Sequence, residues 1–434
     1  MLRAVAVGCF ASLIAVQAVA QQSPAPQAVQ EITLDEAVRR ALDVQPAMVQ
    51  ARGDQRNAGA STRNAFGAFL PTLTTGASAA RSNVGRIDNT TGRPVPPEYS
   101  YTGSLNLSLE LFDGFRRFAN LKAANATGDA AAAGVINQRF QVTLATKQAF
   151  YAAIANEELV RVAESQLQRA KQQLQISIDK LHAGSATRSD SLRSTVDYGN
   201  ARIALLQAEA NLATAQANLG RQIGVDALVR AIPDTTLPPV PDTAGIRSAA
   251  IGGAPAVAQA EAQANAARAQ VWSMRSQYWP SLTVSYSNNR QGTGSPNFPL
   301  FSGYPESFSW RFGLSWTLFN GFTREANQVS ASVNRDIAEA RTADARRQVN
   351  ALITQQLAAL ATAVEQINIA RDNLAAATED LRVQNERYRV GAATILDLLT
   401  SQAALTQAQV NVVQTRFNYL IARAQVEAVV GRTL

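Results

Sequence analysis

Two stretches of this chain read almost alike at a fixed distance. Leu181-His182-Ala183-Gly184-Ser185-Ala186-Thr187-Arg188-Ser189-Asp190 returns 207 positions later as Tyr388-Arg389-Val390-Gly391-Ala392-Ala393-Thr394-Ile395-Leu396-Asp397. The same offset carries Phe112-Asp113-Gly114-Phe115 to Phe319-Asn320-Gly321-Phe322, and Gly224 to Gly431. Gln45-Pro46-Ala47 has an echo in Ala254-Pro255-Ala256, and Leu70-Pro71-Thr72-Leu73 in Trp279-Pro280-Ser281-Leu282. A common offset over most of the chain predicts two copies of one folding unit. The units are expected at 21–231 and 246–434. A linker over 232–245, with Pro233, Pro238, Pro239 and Pro241, separates them.

Within a unit the order is helix, strand, loop, strand, then a long helical hairpin. In the first copy Leu34 to Arg63 has helical periodicity and Pro71 ends the approach to a strand over Thr72 to Arg81. After a Gly/Pro loop, Tyr99, Tyr101, Gly103, Leu105, Leu107, Leu109 and Leu111 alternate with smaller or polar residues, the pattern of a strand with one apolar face. In the second copy Leu282, Val284 and Tyr286 form the first strand. Asn288 to Glu306 reads as the loop, and Phe308, Trp310, Phe312, Leu314, Trp316 and Leu318 form the second strand. From Phe115 to Leu181 there is no proline, so one helix of roughly 100 Å is expected at ~1.5 Å per residue. Its distal half carries Val160, Ala163, Leu167, Ala170, Leu174, Ser177 and Leu181 at heptad spacing. The return helix answers with Tyr198, Ala201, Leu205, Ala208, Leu212, Ala215 and Leu219. The second copy repeats this from Ile367 to Tyr388 and from Leu405 to Val426. Each tip has a glycine to close the outgoing helix and a Thr-x-x-Asp capping pattern to open the return helix.

The ends and the composition narrow the function. Residues 1–20 read as a signal peptide: Arg3 supplies the positive start, Ala4 to Val16 the apolar stretch, and Ala18-Val19-Ala20 the small-residue cleavage site. Cys9, the one cysteine, lies inside that stretch. A chain left with His182 as its one histidine and no thiol cannot assemble an ordinary zinc or iron site. No phosphate-cradling glycine loop or nucleophile elbow is present, so neither an enzyme nor a cofactor is expected. The formal charge of +7 is scattered, with no basic run interleaved with aromatics, which argues against nucleic acid. Beyond the leader no apolar run reaches the ~18 residues of a membrane helix.

The strands point elsewhere. Leu, Tyr, Phe and Trp fill one face, while Ser, Thr, Asn and Arg fill the other. Membrane barrels alternate in this way. The helices pair with each other and leave nothing to cover the apolar face. Two strands per unit give four per chain, and a barrel needs at least about eight. Several chains must therefore share one barrel.

Taken together, the duplication, the Leu-Pro-Thr-Leu and Trp-Pro-Ser-Leu junctions, the Leu-Phe-Asp-Gly and Leu-Phe-Asn-Gly turns, and Tyr388-Arg389-Val390-Gly391 followed by Asp397 resemble the TolC family of outer-membrane efflux and secretion ducts. The likeness spans essentially the whole mature chain. It implies an α+β membrane protein and a homotrimer: a twelve-stranded barrel set in outer-membrane lipid and continued by a long α-helical periplasmic tunnel. It also implies a passive duct in a Gram-negative-type outer membrane. A periplasmic adaptor would meet its tips, and an inner-membrane transporter would supply the energy.

Site residues follow from the same likeness. Gly184, Ser185, Ala186, Gly391, Ala392 and Ala393 are expected to form the adaptor-binding tips. Pro71, Gly114, Pro280 and Gly321 mark the helix–strand junctions. Asp397 matches the acidic ring of the family's periplasmic gate, and Tyr388 with Asp190 matches a link between tips. The chain departs from the family at Ala393, where an arginine is expected, and at Thr400, where a second carboxylate is expected. The competing function is a periplasmic coiled-coil scaffold or adaptor with no pore, which accounts for the helices but not for Trp310 and Trp316 on one strand face.

Overall fold

The computed structural model describes residues 30–81, 86–87, 90–95, 99–233, 238–239, 245–247, 253–293 and 305–434. The signal peptide over 1–20 lies outside them, as do parts of the linker and of both Gly/Pro loops. In chain order the elements are β1 (Gln30–Ile32), α1 (Leu34–Val44), α2 (Pro46–Gly67), β2 (Thr72–Arg81), β3 (Arg86–Ile87), β4 (Pro94–Val95) and β5 (Tyr99–Phe112). Then follow α3 (Arg116–His182), α4 (Arg188–Ile223), β6 (Val229–Ala231), α5 (Pro255–Arg275), β7 (Ser281–Thr293), β8 (Glu306–Ser315), α6 (Thr323–Arg389) and α7 (Ile395–Val430). The fold is α+β, with the unit of strand pair and helical hairpin occurring twice.

Three expectations shift at their boundaries. The helix expected from Leu34 to Arg63 is two helices, broken at Gln45, whose ψ of 127° is extended. Pro46 crowds an α conformation at the residue before it and then serves as the first residue of α2. The loop expected from Asn288 begins later, because β7 continues to Thr293. There Asn288 to Thr293 pair with Leu105 to Ser100 of the long strand β5. The last strand ends at Ser315, short of Trp316 and Leu318, and the Trp316 indole instead donates to the carbonyl of Tyr278 at 3.2 Å.

The four long strands form one antiparallel sheet in the order β2-β5-β7-β8. Below it, the two 67-residue helices α3 and α6 run the length of the molecule. Near the sheet the short helices α2 and α5 flank them, giving the lateral order α2-α3-α5-α6. Toward the tips the return helices take over, giving α4-α3-α7-α6.

The heptad seams explain the pairing. Ala163, Ala170 and Ser177 of α3 and Ala201, Ala215 and Leu219 of α4 are buried along the first seam. In the second hairpin Leu381 of α6 packs with Leu398 and Leu405 of α7, and Ile353, Leu360 and Ala363 pack with Tyr419, Ala422 and Val426. Small residues let the backbones approach, and each fully buried Leu or Val between them contributes about 1.5–3 kcal/mol. Each seam also carries a polar cross-link at the same place. Ser177 and Ser194 hydroxyls lie 2.8 Å apart in the first hairpin, and Ser401 donates to Asp380 at 2.5 Å in the second. A polar pair inside an apolar seam fixes register, since any slip would strand it. Where the hairpins meet the short helices, β1 and β6 form a small parallel ladder over a core of Ile32, Phe150, Ile154, Leu219 and Ile223. Ion pairs Arg416–Glu158 and Lys147–Glu427 tie α7 to α3, so the halves form one body.

Candidate functional site

Register sorts the sheet into two faces. Leu73, Leu107, Tyr286 and Trp310 lie in one row across the four strands. The next row, on the opposite face, is Thr74, Asn106, Ser287 and Ser309. Along β8 the residues Phe308, Trp310, Phe312 and Leu314 are 60–73% exposed. Burying four such side chains is worth roughly 6–12 kcal/mol at 1.5–3 kcal/mol each, comparable to the whole stability of an ordinary domain. A face of that kind belongs against lipid.

The edges are equally informative. β2 and β8 each have a partner on one side only. In hydrocarbon each unpaired backbone group costs several kcal/mol, so the sheet cannot enter a membrane with open edges. β2 leaves the helical end and β8 returns to it. A neighbouring copy's β2 laid against β8 is therefore antiparallel, like every other pair in the sheet. Both strands have ten residues, the length of a tilted membrane strand.

At the junctions, Gly114 and Phe115 both take left-handed backbone (φ 67° and 65°), as do Gly321 and Phe322 (φ 65° and 63°). The buried Asp113 carboxylate accepts from the Arg117 amide at 2.9 Å, and Asn320 accepts from Arg324 at 3.4 Å. Two residues that sequence reasoning missed complete the corners, one at each. Arg117 donates to the carbonyl of Leu111 at 3.1 Å and lies over the Phe69 ring. Arg324 donates to the carbonyls of Thr317 and Leu318 at 2.8 and 2.9 Å and lies over the Tyr278 ring. Arg117 satisfies a carbonyl at the end of β5, and Arg324 two carbonyls just beyond the end of β8, as the chain turns into each helix. The signal was present: an Arg three after Gly114 and after Gly321. Pro71 and Pro280 sit at the opposite ends of these corners, where α2 and α5 give way to β2 and β7.

At the tips Gly184 and Gly391 have φ of 70° and 79°. Ser185 N bonds the carbonyl of Lys180 at 2.9 Å and Ala392 N that of Arg387 at 2.8 Å, closing each helix with a Schellman turn. Nothing lies within 4 Å of a Cβ built on either glycine, so it is the turn and not crowding that requires glycine. Ser185 and Ala392 are exposed, and Ala186 and Ala393 are half-buried.

Thr187 and Thr394 open the return helices with full capping boxes. Asp397 Oδ2 accepts from the amide and hydroxyl of Thr394 at 2.9 and 2.8 Å. Asp190 does the same with Thr187 at 3.0 and 2.8 Å. The Thr amide first, then its hydroxyl, hold each carboxyl below its ordinary range. Arg387 adds attraction at Asp397 and Arg193 at Asp190. Both tips thus present fixed carboxylates.

Tyr388 and Asp190 are not joined within the chain. Asp190 is taken by Thr187, and the Tyr388 ring packs beside Leu381, Ile395 and Leu398. Lys180, another residue the sequence did not single out, ties the two tips. Its Nζ donates to the carbonyl of Tyr388 at 2.9 Å and stands 3.7 Å from the centre of its ring. Thr400 turns its hydroxyl onto the carbonyl of Leu396 at 2.8 Å. Among the described residues no cluster of His, Cys, Asp or Glu could hold a metal ion, and no helix is long and apolar enough to cross a membrane.

Residues 37–225 and 246–432 match the family profile described as "Outer membrane efflux protein". The chain belongs to the outer membrane efflux protein family. Among curated relatives, Protein CyaE of Bordetella pertussis is 27% identical over 396 residues, spanning 88% of this chain and 80% of that one. The outer membrane efflux protein BepC of Brucella suis is 24% identical over 367 residues, spanning 82% and 78%. Among solved structures, the outer membrane protein VceC of Vibrio cholerae superposes with a TM-score of 0.77 at 19% identity, over 92% of this chain and 96% of that one. The fold is that of the TolC-like channels. This efflux protein is accordingly an outer-membrane channel with a large periplasmic part, a passive duct and not an enzyme.

Proposed function

We propose that three copies of this chain close one twelve-stranded barrel and one helical tunnel. Through it cargo passes from a periplasmic adaptor and an inner-membrane transporter to the exterior. The observation that carries this reading is the pair of open antiparallel edges on a sheet with one lipid-facing side. A coiled-coil scaffold would leave that side in water. Two copies would close only about eight strands, whose interior side chains fill, whereas three leave a lumen. The polar face of Thr74, Asn106, Ser287 and Ser309 then lines the lumen.

In this assembly the paired units 21–231 and 246–434 alternate round the tunnel. The open surface at Gly184, Ser185, Ala186, Gly391, Ala392 and Ala393 receives the adaptor, and shallow features favour a helical partner there. Asp397 serves two roles at once, capping α7 and lining the periplasmic mouth with its symmetry mates. Alanine at 393 and a hydroxyl already bonded at Thr400 leave the mouth few other polar links. Planar-bilayer recording of the purified protein tests this: a cation-selective pore that Asp397→Asn makes less selective supports it. A preparation that never conducts would leave only a structural role.

A further inference from the structure

Where the sheet meets the helices, a pocket of about 460 Å³ opens between the start of α3 and the end of α5. Phe115, Phe118, Trp272 and Trp279 line it, each 59–64% exposed. Lys122 and Arg275 line it too, and both are exposed. The ammonium of Lys122 stands 5.9 Å from the centre of the Trp272 ring. No carboxylate shares the pocket, and neither cation enters an ion pair among the described residues.

Three observations identify what such a pocket faces. Phe112 pairs with Leu282 on the apolar face of the sheet, and its ring meets Phe115 edge-on at 5.5 Å. Phe115 leads to Phe118 at 6.4 Å and Phe118 to Phe69 at 5.0 Å. The aromatic wall therefore continues the lipid-facing side of the sheet. Next, α3 and α5 are the inner members of the order α2-α3-α5-α6, so copies joining at the outer edges do not cover the pocket. Last, it lies at the helical end of the strands, which is the periplasmic end. The leaflet there is the inner one.

We propose that this pocket holds one phospholipid of the inner leaflet with an anionic headgroup. Lys122 and Arg275 hold its phosphate, and the upper acyl chain lies on the Phe and Trp rings. Aromatic bodies with a charged rim suit the membrane interface. A zwitterionic lipid brings its own ammonium toward the same cations and binds less well. The second unit supplies a contrast: the positions matching Phe118 and Lys122, 207 residues on, are Glu325 and Val329. That junction has neither the ring nor the cation, so each chain takes one lipid. The lipid would fix the depth of the corner at Gly114, where strand and helix meet.

This rests on the outer-membrane placement of the sheet, which fractionation checks separately. The test is native mass spectrometry of the purified trimer in mild detergent, titrated with phosphatidylglycerol or phosphatidylethanolamine. The expected result is up to three phosphatidylglycerols per trimer, held in preference to phosphatidylethanolamine. Lys122→Gln and Arg275→Gln should each weaken that preference about fivefold, the effect of one cation near an anionic surface. Lys122→Val provides a second variant, since the matching corner already carries valine at 329. Trimer mass in the same spectrum reports that the fold has survived. Equal retention of the two lipids by the unsubstituted protein, or undiminished preference in the variants, overturns the proposal. Absence of the protein from the outer-membrane fraction would instead overturn the placement beneath it.

Discussion

Gly114 and Gly321 occupy matching corners with nearly the same backbone, φ 67° and 65°, yet their surroundings differ. A Cβ on Gly114 would stand 2.4 Å from Trp279 Cβ and 2.7 Å from the carbonyl oxygen of Ser276. A Cβ on Gly321 meets nothing within 4 Å. Alanine at either site pays the left-handed cost of about 1–2 kcal/mol. At Gly114 it adds an overlap of more than about 1 Å against carbon contacts normally near 3.5–4.0 Å. The atoms it strikes are a backbone carbonyl and a Cβ, which cannot swing aside. Overpacking of this kind costs about a further 1–3 kcal/mol. Gly114→Ala should therefore destabilise by about 2–5 kcal/mol; Gly321→Ala costs about 1–2 kcal/mol within one chain, and more where a neighbouring copy's α2–β2 junction closes on that corner as Trp279 does on Gly114. Urea unfolding in detergent, followed by far-ultraviolet circular dichroism, measures both. A loss at Gly114 of only about 1–2 kcal/mol would refute the argument that Trp279 and the Ser276 carbonyl crowd that corner.

At the mouth, Asp397→Asn should lower cation selectivity and block by multivalent cations in reconstituted channels. Lower thermal stability with unchanged selectivity would make the residue a cap alone. Tyr388→Phe keeps the ring that Lys180 stands over and removes a hydroxyl with no partner among the described residues, so a raised open fraction would place that hydroxyl in a link between copies, and an unchanged one would remove it from the gate. Bulky substitution of Gly184 or Gly391 should abolish export while trimers still assemble, because the space around both is open; normal export would leave them as helix stops. The tips should also respond to acid. Asp190 and Asp397 have folded-state values below the ordinary carboxylate range, so their contribution is complete above about pH 4 and is lost as pH falls through the lowered values. Amide protection at 185–190 and 392–397, corrected for intrinsic exchange, should fall in that acid window; constant protection would contradict the capping geometry.

Much of this architecture was legible because a duplication states everything twice. The heptads from Val160 and from Ile367 mark seams that are buried or half-buried throughout. The glycines of both tips announce the turns, and Thr187 and Thr394 announce the caps. Strand ends were harder to place. Asn288 to Thr293 has loop composition; pairing with β5 along its whole length, and with β8 as far as Arg290, keeps it extended. Proline at 46 hid a break inside a helical pattern. The corner arginines were missed because a lone Arg near a helix start reads as solvated charge. Its role appears only once the turn carbonyls it serves are placed. Lys180 was missed for a related reason, as its partner Tyr388 is 208 residues away. The link expected between Tyr388 and Asp190 is not formed within the chain, where Asp190 Oδ2 caps α4 through Thr187.

In the proposed assembly the open edges of β2 and β8 close between copies to form a barrel of three chains. Native mass spectrometry of the protein extracted from outer membranes in mild detergent tests it most directly. A single species of three copies is expected, stable on dilution, that separates into monomers only on denaturation. A stable folded monomer, or an assembly of two, would contradict it.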